Sequence, residues 1–137
     1  MPPDRQSPED PREWLRRARS NLARATQGQT TPDVLLEDVC FDAQQAVEKA
    51  FKALLVLRGV HVPRTHSISD LLTTLAQLGF AVPDDVQDAS ALTDYAVSAR
   101  YPGPSEPVLV EDYDTAVATA TRVLVWVSRI VEERFET

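Results

Sequence analysis

The chain has 137 residues, 43% apolar and 26% charged, with a net charge of -7, which fits one globular domain hiding roughly two-thirds of its unfolded surface. No apolar run reaches the roughly 20 residues that cross a bilayer. The acidic balance repels nucleic-acid phosphates, so any RNA contact needs a local basic patch.

The acidity is uneven: residues 1–63 hold nine Lys/Arg and nine Asp/Glu, residues 64–137 five and twelve. The start, MPPDRQSPEDP, has no apolar signal core, and Cys40 has no second cysteine to pair with. These features point to a reducing cytoplasm and to no zinc site and no structural disulfide. Neither GxGxxG nor GxxxxGK[ST] occurs, so no cofactor is expected.

Residues 1–8, with three prolines, read as a flexible tail, and residues 9–137 as a single helical domain. The first helix is expected from near Glu9. Trp14, Ala18, Leu22 and Ala25 form its apolar stripe, with Leu15 at the edge, while Arg12, Arg16 and Arg19 fall on the opposite side. That arginine strip is either a solvated face or an RNA-facing one.

The segment QGQTTPD breaks the helix, and Asp33 is the expected N-cap of a long second helix ending at Leu57 or Arg58, before Gly59. Its broad apolar arc runs from Leu35 and Leu36 through Val39, Cys40, Ala43, Ala46, Val47, Ala50, Phe51 and Leu54 to Leu57, enough to touch two neighbours. Gln45, Glu48, Lys49 and Lys52 lie on the other side with Phe41, Leu55 and Val56 among them, a mixture that suggests a face meeting a partner. Cys40 sits on the apolar arc, where a small buried thiol is the ordinary outcome.

Ser67 and Asp70 make a capping-box-like start for a third helix over Ile68–Leu78, and Gly79 ends it. Pro83 and Asp84 open a fourth, expected through Ala99, with Val86, Ala89, Leu92 and Ala96 inward and Tyr95 at their edge. Three prolines make residues 101–110 a connection. The last helix is expected from Asp112 to Phe135, with Ala116, Ala120, Val123, Leu124, Val127, Ile130 and Val131 inward. Trp126 then falls on the far side with Thr119, Arg122 and Arg129, a grouping that suits an interface anchor, since Trp and Arg are enriched there. The fold expected is all-α, an antiparallel up-and-down four-helix bundle with an additional short helix, five helices in all.

Three motifs in order, QQAVEKAFKALL at Gln44 to Leu55, THSISDLL at Thr65 to Leu72 and SARYPG at Ser98 to Gly103, closely resemble the HEPN domain. The likeness runs from about Trp14 to Phe135. It implies a homodimer, a place beside a minimal nucleotidyltransferase in toxin-antitoxin or defence pairs, and a nucleotide or RNA ligand. Carried over onto matching positions, it implies a ligand-binding cleft with Arg100, Tyr101, His66, Lys52, Glu48 and Gln45, where His66 faces Glu48 or Lys52.

In the family's ribonucleases an arginine is followed four to six residues later by a histidine, and two such motifs meet across a dimer. A guanidinium stabilises charge on the phosphorane while an imidazole moves the proton. Here Arg100 is followed in that window by Pro104, Ser105 and Glu106. The pattern lacks its histidine, so the resemblance implies a protein that binds rather than cuts, with a metal-independent endoribonuclease as the competing reading and a purely structural or interaction module as a third.

Overall fold

Asp10 opens the first helix, α1 (Pro11–Gln27): its carboxylate accepts from the Arg12 amide at 2.8 Å, and Pro11 fills a first-turn position that needs no donor. The computed structural model describes residues 7–95 and 107–136. Ser7 and Pro8 belong to the edge of α1, since the Asp10 amide donates to Ser7 O and the Trp14 indole to Pro8 O at 2.7 Å. Ala18 and Ala25 of the expected stripe are fully buried and Trp14 and Leu22 half-buried, while Leu15, expected at the edge, is 2% exposed.

Gly28 ends α1 at φ 66 and ψ -149, a conformation essentially reserved for glycine. A Cβ there would lie 2.9 Å from the Tyr113 hydroxyl, which donates to Ala25 O and so fastens the last helix to the end of α1. Gly28→Ala is therefore expected to cost about 1–3 kcal/mol of stability by chemical denaturation. A cost below about 0.5 kcal/mol would mean that Tyr113 swings away freely.

The second helix, α2 (Leu36–Leu57), begins three residues after the expected cap. Asp33 is used instead in a turn behind Pro32, closed by Val34 N to Thr31 O at 3.1 Å. Leu35, placed on the apolar arc by its spacing, is 56% exposed because it precedes the first turn. The remainder of α2 is sheltered nearly all round: Leu55, Gln44, Glu48 and Lys52 are buried as well as the apolar arc.

Two further helices follow. In α3 (Ile68–Gln77) the Ser67 hydroxyl accepts from Asp70 N at 3.2 Å, and the Ser67 amide turns to Thr65 Oγ1. The fourth segment is not one long α-helix. A single turn, α4 (Asp84–Gln87), passes into a 3-10 helix at Asp88–Asp94. Val86, Ala89, Leu92 and Tyr95 recur every three residues, the spacing that a 3-10 helix stacks in one line, and the first three are buried. Thr93 Oγ1 accepts from Ile68 N, tying this segment to the start of α3. The expected continuation through Ala96 to Ala99 lies outside the described residues.

The last helix, α5 (Val110–Phe135), starts at Val110 rather than Asp112, with the Asp112 carboxylate accepting from Leu109 N at 2.9 Å. Contacts of Arg19 with Glu132 and of Tyr113 with Ala25 set α5 antiparallel to α1. Arg24 beside Asp42 and Asn21 beside Lys49 set α2 antiparallel to α1 as well. The fold is all-helical, with α2 and α5 running the same way and the α4 and 3-10 segment returning between them, from Asp85 beside Arg122 to Tyr95 beside Cys40.

Trp126, expected to project from the far side, is instead half-buried. Its ring meets Phe51 and Phe80 edge-on, with centroids 6.5 and 6.4 Å away. Its place on the helix faces the seam between α2 and the α3 end, which a two-helix view of α5 does not reveal. Thr119, expected on the same outer side, is buried and accepts from Arg122 at 3.2 Å.

Candidate functional site

Gln44, Glu48 and Lys52 stand one turn apart on α2, so their side chains meet along one strip of the helix. Glu48 is 3% exposed. Its Oε1 accepts from Lys52 Nζ at 2.6 Å, its Oε2 from Gln44 at 2.9 Å and from Gln45 at 3.2 Å, and the Gln45 amide also donates to Gln44 Oε1 at 2.7 Å. The loop before α3 closes the cluster, with His66 Nδ1 at 3.1 and 3.2 Å from the two carboxylate oxygens. Burial pushes the Glu48 carboxyl up, but Lys52 first, then Gln44 and His66, hold it below the usual carboxylate range. It stays an anion.

An ionised carboxylate only accepts, so in the neutral ring the proton sits on Nδ1 and Nε2 is an acceptor directed away from Glu48. The imidazole side chain is 51% exposed. This is a carboxylate-oriented imidazole whose free nitrogen is presented outward, an arrangement able to take or give one proton or to meet a polar ligand. His61, the other histidine, is exposed on the same loop and outside this cluster.

Of the residues that the sequence placed in a cleft, the structure thus brings together Gln45, Glu48, Lys52 and His66. Arg100 and Tyr101 lie outside the described residues. Gln44, fully buried, was not anticipated; its position four residues before Glu48 was the available signal.

The arginine strip of α1 is less free than its periodicity suggests. Arg12 pairs with Asp10 at 2.7 Å and covers the Phe135 ring at 4.1 Å, Arg16 and Arg17 both hold Glu13, and Arg19 reaches Glu132 at 2.9 Å. Arg16 foremost, then Arg17, draws the Glu13 carboxyl down to about 2 against the opposing effect of burial. Every arginine of the strip has an acid beside it, which cancels most of the field that an RNA backbone would feel.

Of the residues expected at an interface, Phe41 is half-buried on α2, Arg122 and Arg129 are exposed beside Trp126, and Arg122 lies 3.8 Å from Asp85. Cys40 is fully buried, and its thiol is pushed up to about 11 by burial and by Asp112 and Glu37, so the reactive thiolate is suppressed. Among the described residues no group of three His, Cys, Asp or Glu is placed to hold a metal, and no helix is long and apolar enough to cross a membrane.

A family model described as "HEPN domain" matches residues 11–131. The chain is also similar to the crystal structure of an archaeal HEPN homologue, with 29% identity and a TM-score of 0.70 over 89% of this chain and 98% of that one. No curated protein matches significantly.

Proposed function

The chain belongs to the HEPN domain family, and from that premise we propose that it works as a helical homodimer that binds a nucleotide or an RNA end and partners a minimal nucleotidyltransferase in a toxin-antitoxin or defence pair. The observation behind this reading is the buried Glu48 clamped by Lys52, Gln44 and Gln45 while it orients an outward imidazole. A buried ionic cluster with a half-exposed member suits recognition, because the outward nitrogen is held in place before any ligand arrives. Arg100 and Tyr101 complete the cleft in this reading, Arg100 as the guanidinium that meets phosphate. Trp126, Arg122, Arg129 and Phe41 supply the contact between copies.

Sedimentation of the purified chain, with fluorescence polarisation against labelled nucleotides and short oligoribonucleotides, tests the proposal. Dimers are expected, and His66→Ala and Arg100→Ala are each expected to weaken binding by about tenfold, the worth of one charged hydrogen bond. A monomer that binds none of these probes and captures no nucleotidyltransferase on co-expression ends this reading.

The Glu48 and His66 pair favours one alternative, a ribonuclease whose base is relocated to His66 with Arg100 retained for the developing charge. Incubation with total RNA in EDTA decides between them: cleavage that disappears in both His66→Ala and Arg100→Ala supports the enzyme, and intact RNA removes it.

A further inference from the structure

A second polar group occupies neighbouring turns of α2 but faces α1 instead of α3. Asn21, 8% exposed, donates its amide to Asp42 Oδ1 at 3.0 Å and accepts from Lys49 Nζ at 2.8 Å. Both ends of the amide are used, so its orientation is fixed and it aims Lys49. Asp42, 7% exposed, spends its other oxygen on Arg24 at 3.5 Å. Lys49 is therefore a half-buried ammonium whose hydrogen bond goes to a neutral amide, with two donors left over.

That arrangement is unfavourable for a cation by itself. Burial first, then the charges of Arg17 and Arg24, push the Lys49 ammonium down, and Glu48 and Asp42 offset only part of this. The group opens into a crevice of about 560 Å³ between the end of α1 and the first half of α2, with Thr30 and Gln45 in its walls and Asp38 exposed at the rim. Arg24 lines the same crevice, is 68% exposed and meets Asp42 only at 3.5 Å, so its guanidinium has donors to spare.

We infer that this crevice seats a phosphomonoester, held by Lys49 and Arg24, with Asn21 as the positioning residue that aims the lysine. A dianion with three acceptor oxygens matches two cations with spare donors better than a single carboxylate does. Asp42 is held back from the anion by the Asn21 amide, which donates to its Oδ1 at 3.0 Å. Gln45 joins the two groups, lining the crevice while donating to Glu48 at 3.2 Å. The inference thus deepens the proposed nucleotide or RNA site by assigning where a terminal phosphate goes, and it rests on that reading for the remainder of the ligand.

Titration calorimetry on the full chain at low salt tests it with inorganic phosphate, 5′-AMP and one short oligoribonucleotide in 5′-phosphorylated and 5′-hydroxyl forms. Expected are binding of phosphate and AMP, a preference of about tenfold for the phosphorylated oligonucleotide, and a loss of about tenfold in Arg24→Gln and in Lys49→Met. The Asn21 side-chain amide resonance should also move when phosphate is added. Arg24 is largely exposed, so its variant keeps the test valid even if Lys49→Met folds poorly. Equal binding of the two oligonucleotides, or unchanged affinity in Arg24→Gln, overturns the seat and leaves the Glu48 and His66 reading standing. Phosphate binding that depends on Arg24 with no oligonucleotide binding supports the seat and removes RNA from the proposed function.

Discussion

Glu48→Ala is expected to cost about 3–5 kcal/mol of folding stability, the usual consequence of leaving one member of a buried ion pair alone. Lys52 is the member left behind. It is 8% exposed, with its ammonium 2.6 Å from the carboxylate, and removal of Glu48 strands that charge together with the Gln44 amide. Typical domains are stable by roughly 5–15 kcal/mol, so a cost of this size brings the variant near the point where much of it is unfolded. Chemical denaturation at one fixed protein concentration measures it, since a dimer adds a concentration term.

A paired variant separates stability from recognition. Glu48→Leu with Lys52→Met replaces the ions by apolar groups of similar bulk, a change that is often neutral or stabilising. The double variant is expected to regain most of the lost stability and to bind nucleotide no better than Glu48→Ala. Recovery of both would show that the ion pair serves packing alone.

The pH dependence has a definite sign. The folded Glu48 carboxyl lies below its ordinary 4.5, so the folded state binds the proton less readily than the unfolded one. Its contribution is complete above pH 4.5 and is lost as pH falls through the lower folded value. Wild type should therefore lose stability in that window, and the Leu/Met double variant should lose less. An equal loss in both would move the acid sensitivity elsewhere, with Glu13, held near 2, as the next carboxylate to examine.

Helix identity was legible in the chain because apolar spacing and caps act locally: Ser67 at α3, Gly28 after α1 and the α5 stripe all follow from neighbours within four residues. The polar side of α2 at Gln45, Glu48 and Lys52 was legible for the same reason, though Gln44 was not picked out. What escaped depends on distant partners. Nothing within four residues marks Asn21 or Asp42 for burial; the Asn21 amide meets the Asp42 carboxylate only once α1 lies against α2. Trp126 read as outward because one helical wheel knows a single core direction, whereas α5 touches both α2 and the segment around Phe80. The 3-10 stretch was written in the three-residue spacing of Val86, Ala89, Leu92 and Tyr95, a period between those of helix and strand.

Phe51→Ala is the second large effect expected, at about 3–5 kcal/mol. Phe51 is fully buried on α2, the helix that packs against α1, α3 and α5, so little can relax into the space it leaves. Part of the cost comes from Trp126, which loses one of its two edge-on aromatic contacts, worth about 0.5–1.5 kcal/mol beyond area alone. The chain has two tryptophans, so a Trp14→Phe background leaves Trp126 as the sole fluorescent reporter. In that background Phe51→Ala should unfold at lower denaturant and shift Trp126 emission to the red while still folded, as water gains access to the indole. A loss below about 1 kcal/mol, with unchanged emission, would mean that α2 and α5 are held together by other contacts and that Trp126 owes its half-buried position to Phe80. A lost aromatic contact that leaves Trp126 more exposed would also alter the proposed contact between copies, so the dissociation constant of the proposed dimer should rise in the same variant along with the loss of stability.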